Sequence, residues 1–206
     1  MGEEAKKIDL SSENDPNLEK IVNLIQACGK TAMVSRLSLN DDDVTVTSLT
    51  GDEDLSYDHW VCVIMVIFKG LRTSFQVHFT SQAARALTSI ATSKGPKELK
   101  PGLCHDFMRE YCNLAAGSVK LQLDKCDFQI ESINQTMLPV EEPSYDLTHL
   151  EARKENWYLT VKAGDEEISI VCSAKLEVEN AGILKNINKL DDQSIIIDDA
   201  GEIEFL

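Results

Sequence analysis

The chain has 206 residues, 43% of them hydrophobic, and a formal net charge of −15, a composition that supports one domain with a sizeable core. Most of the acidity is local: residues 1–20 carry a net −3, 41–58 carry −7 and 177–206 carry −6, so the remainder is near neutral. With no basic patch, nucleic acid and anionic membrane are excluded as ligands, and the longest apolar run, residues 61–68, is too short to span a bilayer.

Residues 1–14 are polar and lack the apolar run of a secretory leader, which predicts a disordered N-terminus on a cytoplasmic protein. Asp15 and Pro16 open a helix in which Leu18, Ile21, Val22 and Ile25 recur at helical spacing, with Gly29 as its predicted end. Alternation over Thr31–Leu39 and Val44–Leu49 predicts two short strands around an acidic turn at Asp41, Asp42 and Asp43. Residues 51–58 read as an acidic loop. Trp60–Phe68 is a fully apolar strand, and Gly70 turns the chain into Thr73–Phe79, where Phe75, Val77 and Phe79 share one side.

Ser81 is the predicted cap of a helix over residues 82–93, stopped by Gly95 and Pro96. Pro101 opens a longer helix that runs to Lys125. Beyond it, Phe128–Ile133 is strand-like and residues 139–156 form a polar loop. Trp157–Val161 and Ile168–Val178 make a hairpin turning at Ala163, Gly164 and Asp165. Past Asn180 the acidic tail contains Ser194–Ile197 and Ile203–Leu206, each suited to an edge strand or a flexible arm. A helix leads into strands twice, which predicts an α+β domain over 15–178 between the N-terminus, 1–14, and an acidic extension, 179–206.

The long helix carries Asp106, Glu110, Asn113 and Gly117 at spacings of four, three and four, within about 60° of one another. Leu103, Phe107, Met108, Tyr111, Leu114, Ala115, Val119 and Leu123 are assigned to its apolar arc, so the stripe is predicted to face outward. A mid-helix glycine costs about 1 kcal/mol against alanine, and close approach by another surface would offset it. Taken alone, the stripe is equally the wet side of any amphipathic helix.

Other chemistry finds less support. The six cysteines form no C-x-x-C pair and no metal-ligand spacing with the four histidines, which predicts reduced, buried thiols and no metal site. Of His59, His78, His105 and His149, His105 alone adjoins the stripe, about 100° around the helix. Cys104 and Cys112 fall on the apolar arc, where packing explains them better than nucleophilic chemistry. The run Asp41–Asp43 lacks the spaced ligands and glycine of a calcium loop.

The element order, the pattern D-x-x-x-E-x-x-N from Asp106 to Asn113 and the continuation LAAGSVK together resemble the CheC/CheX/FliY family of chemotaxis phosphatases. Its members carry such a motif on a long exposed helix, often continued by an Ala-Gly-Asn-Ala-Lys-like stretch that Ala116, Gly117 and Lys120 match. The resemblance covers residues 16–178 and implies a CheC-like α+β fold: a mixed or antiparallel β-sheet flanked by long helices, with a distant pseudo-two-fold duplication. It departs in two places. Pro139 comes later than the family's usual proline, and the first helix reads Asp15, Glu19, Val22 where two-site members repeat the motif. One site, of the CheX-like kind, is therefore expected.

That resemblance implies a phosphatase acting on the phosphoaspartate of a CheY-like receiver domain. An acyl phosphate asks mainly for an in-line water and charge neutralisation. Asn113 would position the water with a carboxamide that both donates and accepts, and Glu110 would pair with the receiver's lysine. Asp106, Gly117 and Lys120 would contact the partner. Mg²⁺ would be supplied by the receiver, leaving no cofactor of the chain's own. The alternative is a non-catalytic receiver-binding or flagellar-switch-like scaffold of the same fold, and an exposed strand edge would permit homodimerisation, as in relatives.

Overall fold

The computed structural model describes residues 15–49, 60–139 and 153–190. The expectations for 1–14, 51–58, 194–197 and 203–206, together with His59 and His149, lie outside these residues.

Helix α1 (Pro16–Leu37) starts at Asp15, whose side chain accepts the N–H of Asn17 at 2.8 Å, with Pro16 in the first turn where its missing N–H costs nothing. It does not stop at Gly29. Cys28, Ala32, Met33 and Leu37 continue its buried face, so the strand expected over Thr31–Leu39 is helix as far as Leu37. A Cβ on Gly29 would lie 3.4 Å from both the Phe75 ring and the Tyr111 hydroxyl. The glycine therefore serves close packing, and Ser38, in the left-handed region at φ 53°, ends the helix.

Strand β1 (Val44–Ser48) follows, then the hairpin of β2 (Trp60–Phe68) and β3 (Leu71–Phe79), turning at Gly70 with φ 89°. Helix α2 (Ser81–Thr92) is capped by Thr80 rather than Ser81: the Thr80 Oγ1 accepts the N–H of Ala83 at 2.9 Å. Helix α3 (Pro101–Lys125) leads to β4 (Ile130–Pro139), longer than its predicted stretch, and then to the hairpin of β5 (Arg153–Ala163) and β6 (Glu166–Val178). Pro139 is tolerated because β4 is an edge strand.

The six strands of the described residues form one sheet in the order β1-β5-β6-β3-β2-β4, and each of their pairings is antiparallel. The order is symmetric about the β3–β6 seam. Each half contributes a helix, an outlying strand and a hairpin, and each outlying strand crosses over: β1 pairs with β5 of the second hairpin and β4 with β2 of the first. This is the expected pseudo-two-fold, with α1 and α3 as its equivalent helices.

α1 packs against α3, α3 against β2, and α2 against α3. Between helices and sheet, Phe75 meets Tyr111 edge-on and stacks with Trp157, each at 6.1 Å between ring centroids, and all three rings are buried. Residues Ala181–Lys189 form a 3-10 helix that buries Leu184 and Ile187 and reaches α1 through Lys20 Nζ, which donates to Asn188 Oδ1 at 2.6 Å; Lys189 pairs with Asp127.

Candidate functional site

α3 is the longest helix among the described residues, and it packs against α1, α2 and the sheet. Its buried side holds Cys104, Phe107, Met108, Tyr111, Cys112, Ala115, Val119 and Leu123. On the opposite side Asp106 and Arg109 are exposed, while Glu110, Asn113 and Lys120 are partly exposed. Glu110 and Asn113 thus stand one turn apart on the same accessible face.

The other stripe residues are placed differently from one another. Asp106 Oδ1 accepts from Arg109 Nη1 at 3.1 Å, an exposed pair that contributes little stability and engages this carboxylate within the helix. Gly117 is buried rather than bare to a partner. With no side chain, its few atoms lie on the helix floor between Asn113 and Leu114 on one turn and Lys120 and Leu121 on the next.

Asn113 carries the site's one unpaired buried atom among the described residues of the stripe: its side-chain oxygen is enclosed and has no hydrogen-bond partner. Leaving an acceptor in that state costs about 1–3 kcal/mol, the kind of expense that a functional constraint explains.

Two leucines change the character of the face. Leu103, assigned by sequence to the apolar arc, is 42% exposed, and Leu121 is 36% exposed; these are the exposed large hydrophobics among the described residues. Leu103 precedes Glu110 by two turns and Leu121 follows it by three, so both lie within about 20° of Glu110. Leu114, also given to the buried arc, is only partly buried. The accessible face is a polar centre between apolar ends.

Beneath the face, Cys62 of β2 receives hydrogen bonds from Cys112 and from the Gln135 amide, which make it the more acidic thiol against the opposing effect of burial. Burial pushes Cys112 up, and burial also lifts Cys172 to about 12. All six cysteines are free and buried, so they act as core groups. The His105 ring packs on Trp60 at 4.3 Å between centroids. No cluster of three or more His, Cys, Asp or Glu suited to a metal is present among the described residues, and no helix among them is long and apolar enough to cross a membrane.

On α1, Val22, at the position where two-site members carry the asparagine, is buried, while Glu19 is exposed. The pseudo-two-fold equivalent of Asn113 is thus a packed valine with no group to hold water. Sequence reading missed the Asp106–Arg109 pair, and it missed Gln135, whose contact with α3 comes from a strand 26 residues away and leaves no local signal.

No protein-family model matches the chain, and no curated protein does. Solved structures match it in shape. A chain of the CheX–CheY–BeF3–Mg²⁺ complex from Borrelia burgdorferi superposes with a TM-score of 0.56 at 9% identity, covering 76% of this chain and 97% of its own length. FliY from Thermotoga maritima gives 0.56 at 13% identity, covering 89% and 97%, and the chemotaxis protein CheX from Vibrio vulnificus gives 0.52 at 12%, covering 81% and 99%. The protein is an α+β domain with an antiparallel six-stranded sheet. Its fold is that of the CheC/CheX/FliY family, as the resemblance implied.

Proposed function

We propose that the protein is a chemotaxis-type phosphatase that hydrolyses the phosphoaspartate of a CheY-like receiver domain. The observation that carries this reading is the pair Glu110 and Asn113, partly exposed one turn apart on α3, in a fold shared with a CheX solved together with CheY. Phosphoryl transfer from an acyl phosphate needs positioning and charge neutralisation more than covalent help from the protein, so a site of two side chains is adequate.

In this account Glu110 pairs with a lysine beside the receiver's phosphoaspartate and sets the register of α3 across that site. Asn113 holds water in line with the phosphorus, one half of its carboxamide accepting from the water and the other donating to the phosphoryl oxygens. Mg²⁺ belongs to the receiver, and no residue of this chain is asked to bind it. Leu103 and Leu121 cover apolar surface of the receiver on either side, and Lys120 lies at the rim. Asp106 acts at most indirectly, through Arg109, and Gly117 keeps the helix surface low between Asn113 and Lys120.

A receiver-binding scaffold without catalysis is the competing reading, because the buried, unpaired Asn113 oxygen has to turn outward before it can hold water. The two separate in one experiment: decay of a phosphorylated receiver, followed with and without the protein, alongside its binding to the same receiver. Binding with faster decay supports the phosphatase; binding with unchanged decay supports the scaffold.

A further inference from the structure

The turn that joins Glu110 to Asn113 is held from outside the helix. Within α3 the carbonyl oxygen of Arg109 is the acceptor for the N–H of Asn113, four residues on. A second donor reaches the same oxygen: Nε2 of Gln135, at 3.1 Å. That nitrogen is also 3.6 Å from Cys62 Sγ. Gln135 stands on β4 opposite Ile64 of β2, so its side chain links the sheet's edge to the site helix at one backbone oxygen. The orientation of its amide is fixed by chemistry, since an oxygen turned toward the Arg109 carbonyl would face another acceptor.

Among the described residues Asn113 itself has no comparable restraint. Its side-chain oxygen is buried without a partner, so the position of its carboxamide is inherited from the backbone turn that Gln135 grips. A carbonyl has two lone pairs and accommodates both donors, so the grip does not compete with the helix.

We propose that Gln135 is a positioning residue for Asn113: it fixes the Arg109–Asn113 turn against β4 and thereby sets where the carboxamide meets the attacking water. The catalytic part of this proposal rests on the phosphatase reading; the restraint on the turn does not.

The test uses the full chain with Gln135→Leu, which fills similar space without a donor, and Gln135→Lys, which restores one. In the free protein, amide hydrogen exchange at Asn113 is expected to rise about tenfold in Gln135→Leu, as loss of one ordinary hydrogen bond produces. Amides at 119–123 of the same helix should be unchanged, and Gln135→Lys should restore the Asn113 rate. With a phosphorylated receiver as substrate, kcat should fall about tenfold at constant KM, since a lost positioning contact acts on the reacting geometry rather than on docking.

Unchanged Asn113 exchange in Gln135→Leu overturns the proposal. Faster exchange along all of α3, or local exchange with unchanged kcat, overturns it too, because each reduces Gln135 to a general structural bond. If the wild-type protein does not accelerate receiver decay, the phosphatase reading and the catalytic role fall together, and the exchange arm still decides whether Gln135 holds the turn.

Discussion

Replacing Leu103 and Leu121 together by serine tests whether the accessible face of α3 meets a partner. At 42% and 36% exposure, the two side chains leave about 140 Å² of apolar surface in water, worth about 3.5 kcal/mol at about 25 cal/mol per Å² if fully covered. Ordering each side chain at an interface costs about 0.5–1.5 kcal/mol. The double variant should therefore lose about 0.5–2.5 kcal/mol of binding, centred near about 1.5 kcal/mol or roughly tenfold in Kd. The two leucines are 18 residues apart, about 27 Å along the helix axis, a span one small domain can cover. Calorimetric titration against a beryllofluoride-activated receiver measures the loss, and a thermal melt controls for folding, which should hold because neither leucine is buried. A Kd within about twofold of wild type, with folding intact, would refute the claim that this face is the interface.

Reversing the charge at Glu110 with Glu110→Lys should weaken receiver binding by about 2 kcal/mol or more, because a charge pair becomes a like-charge contact; an unaltered Kd contradicts the docking role. Burial, reinforced by the charge of Lys154, pushes His78 down from 6.5 to about 4. The unfolded chain then binds more protons than the folded one as pH falls, so stability is intact above pH 6.5 and declines between 6.5 and about 4, by up to about 3 kcal/mol. Urea melts of His78→Gln should show a flatter acid limb, and an equally steep decline would refute this assignment. At Gly29 a Cβ is already 3.4 Å from Phe75 and Tyr111, so Gly29→Val should destabilise by about 1–3 kcal/mol through overpacking. A wild-type melting temperature would show that α1 is free to move away from α3.

The hairpins were legible because their signals are local. Unbroken apolar character in β2, alternation in β3 and a glycine at each turn leave little choice of register. Gly29 misled for the opposite reason: as a terminator it is a local signal, yet it is there to let Phe75 and Tyr111 approach, a tertiary demand that no neighbouring residue announces. Glu110 and Asn113 were readable from helical spacing. Leu103 was readable by the same arithmetic, but hydrophobicity outweighed its angular position; Leu121, on the same side, was assigned to neither face. Gln135 could not be found that way, because its contact exists only once β4 has paired with β2 beneath α3.

The central claim stands on Asn113, and the most direct measurement is the decay rate of a phosphorylated CheY-like receiver with wild-type protein and with Asn113→Ala. The account predicts faster decay with wild type and the uncatalysed rate with Asn113→Ala, while both bind the receiver with Kd values within about threefold, since docking rests mainly on Glu110 and the flanking leucines. Decay unaffected by the wild-type protein, or accelerated equally by Asn113→Ala, would contradict it.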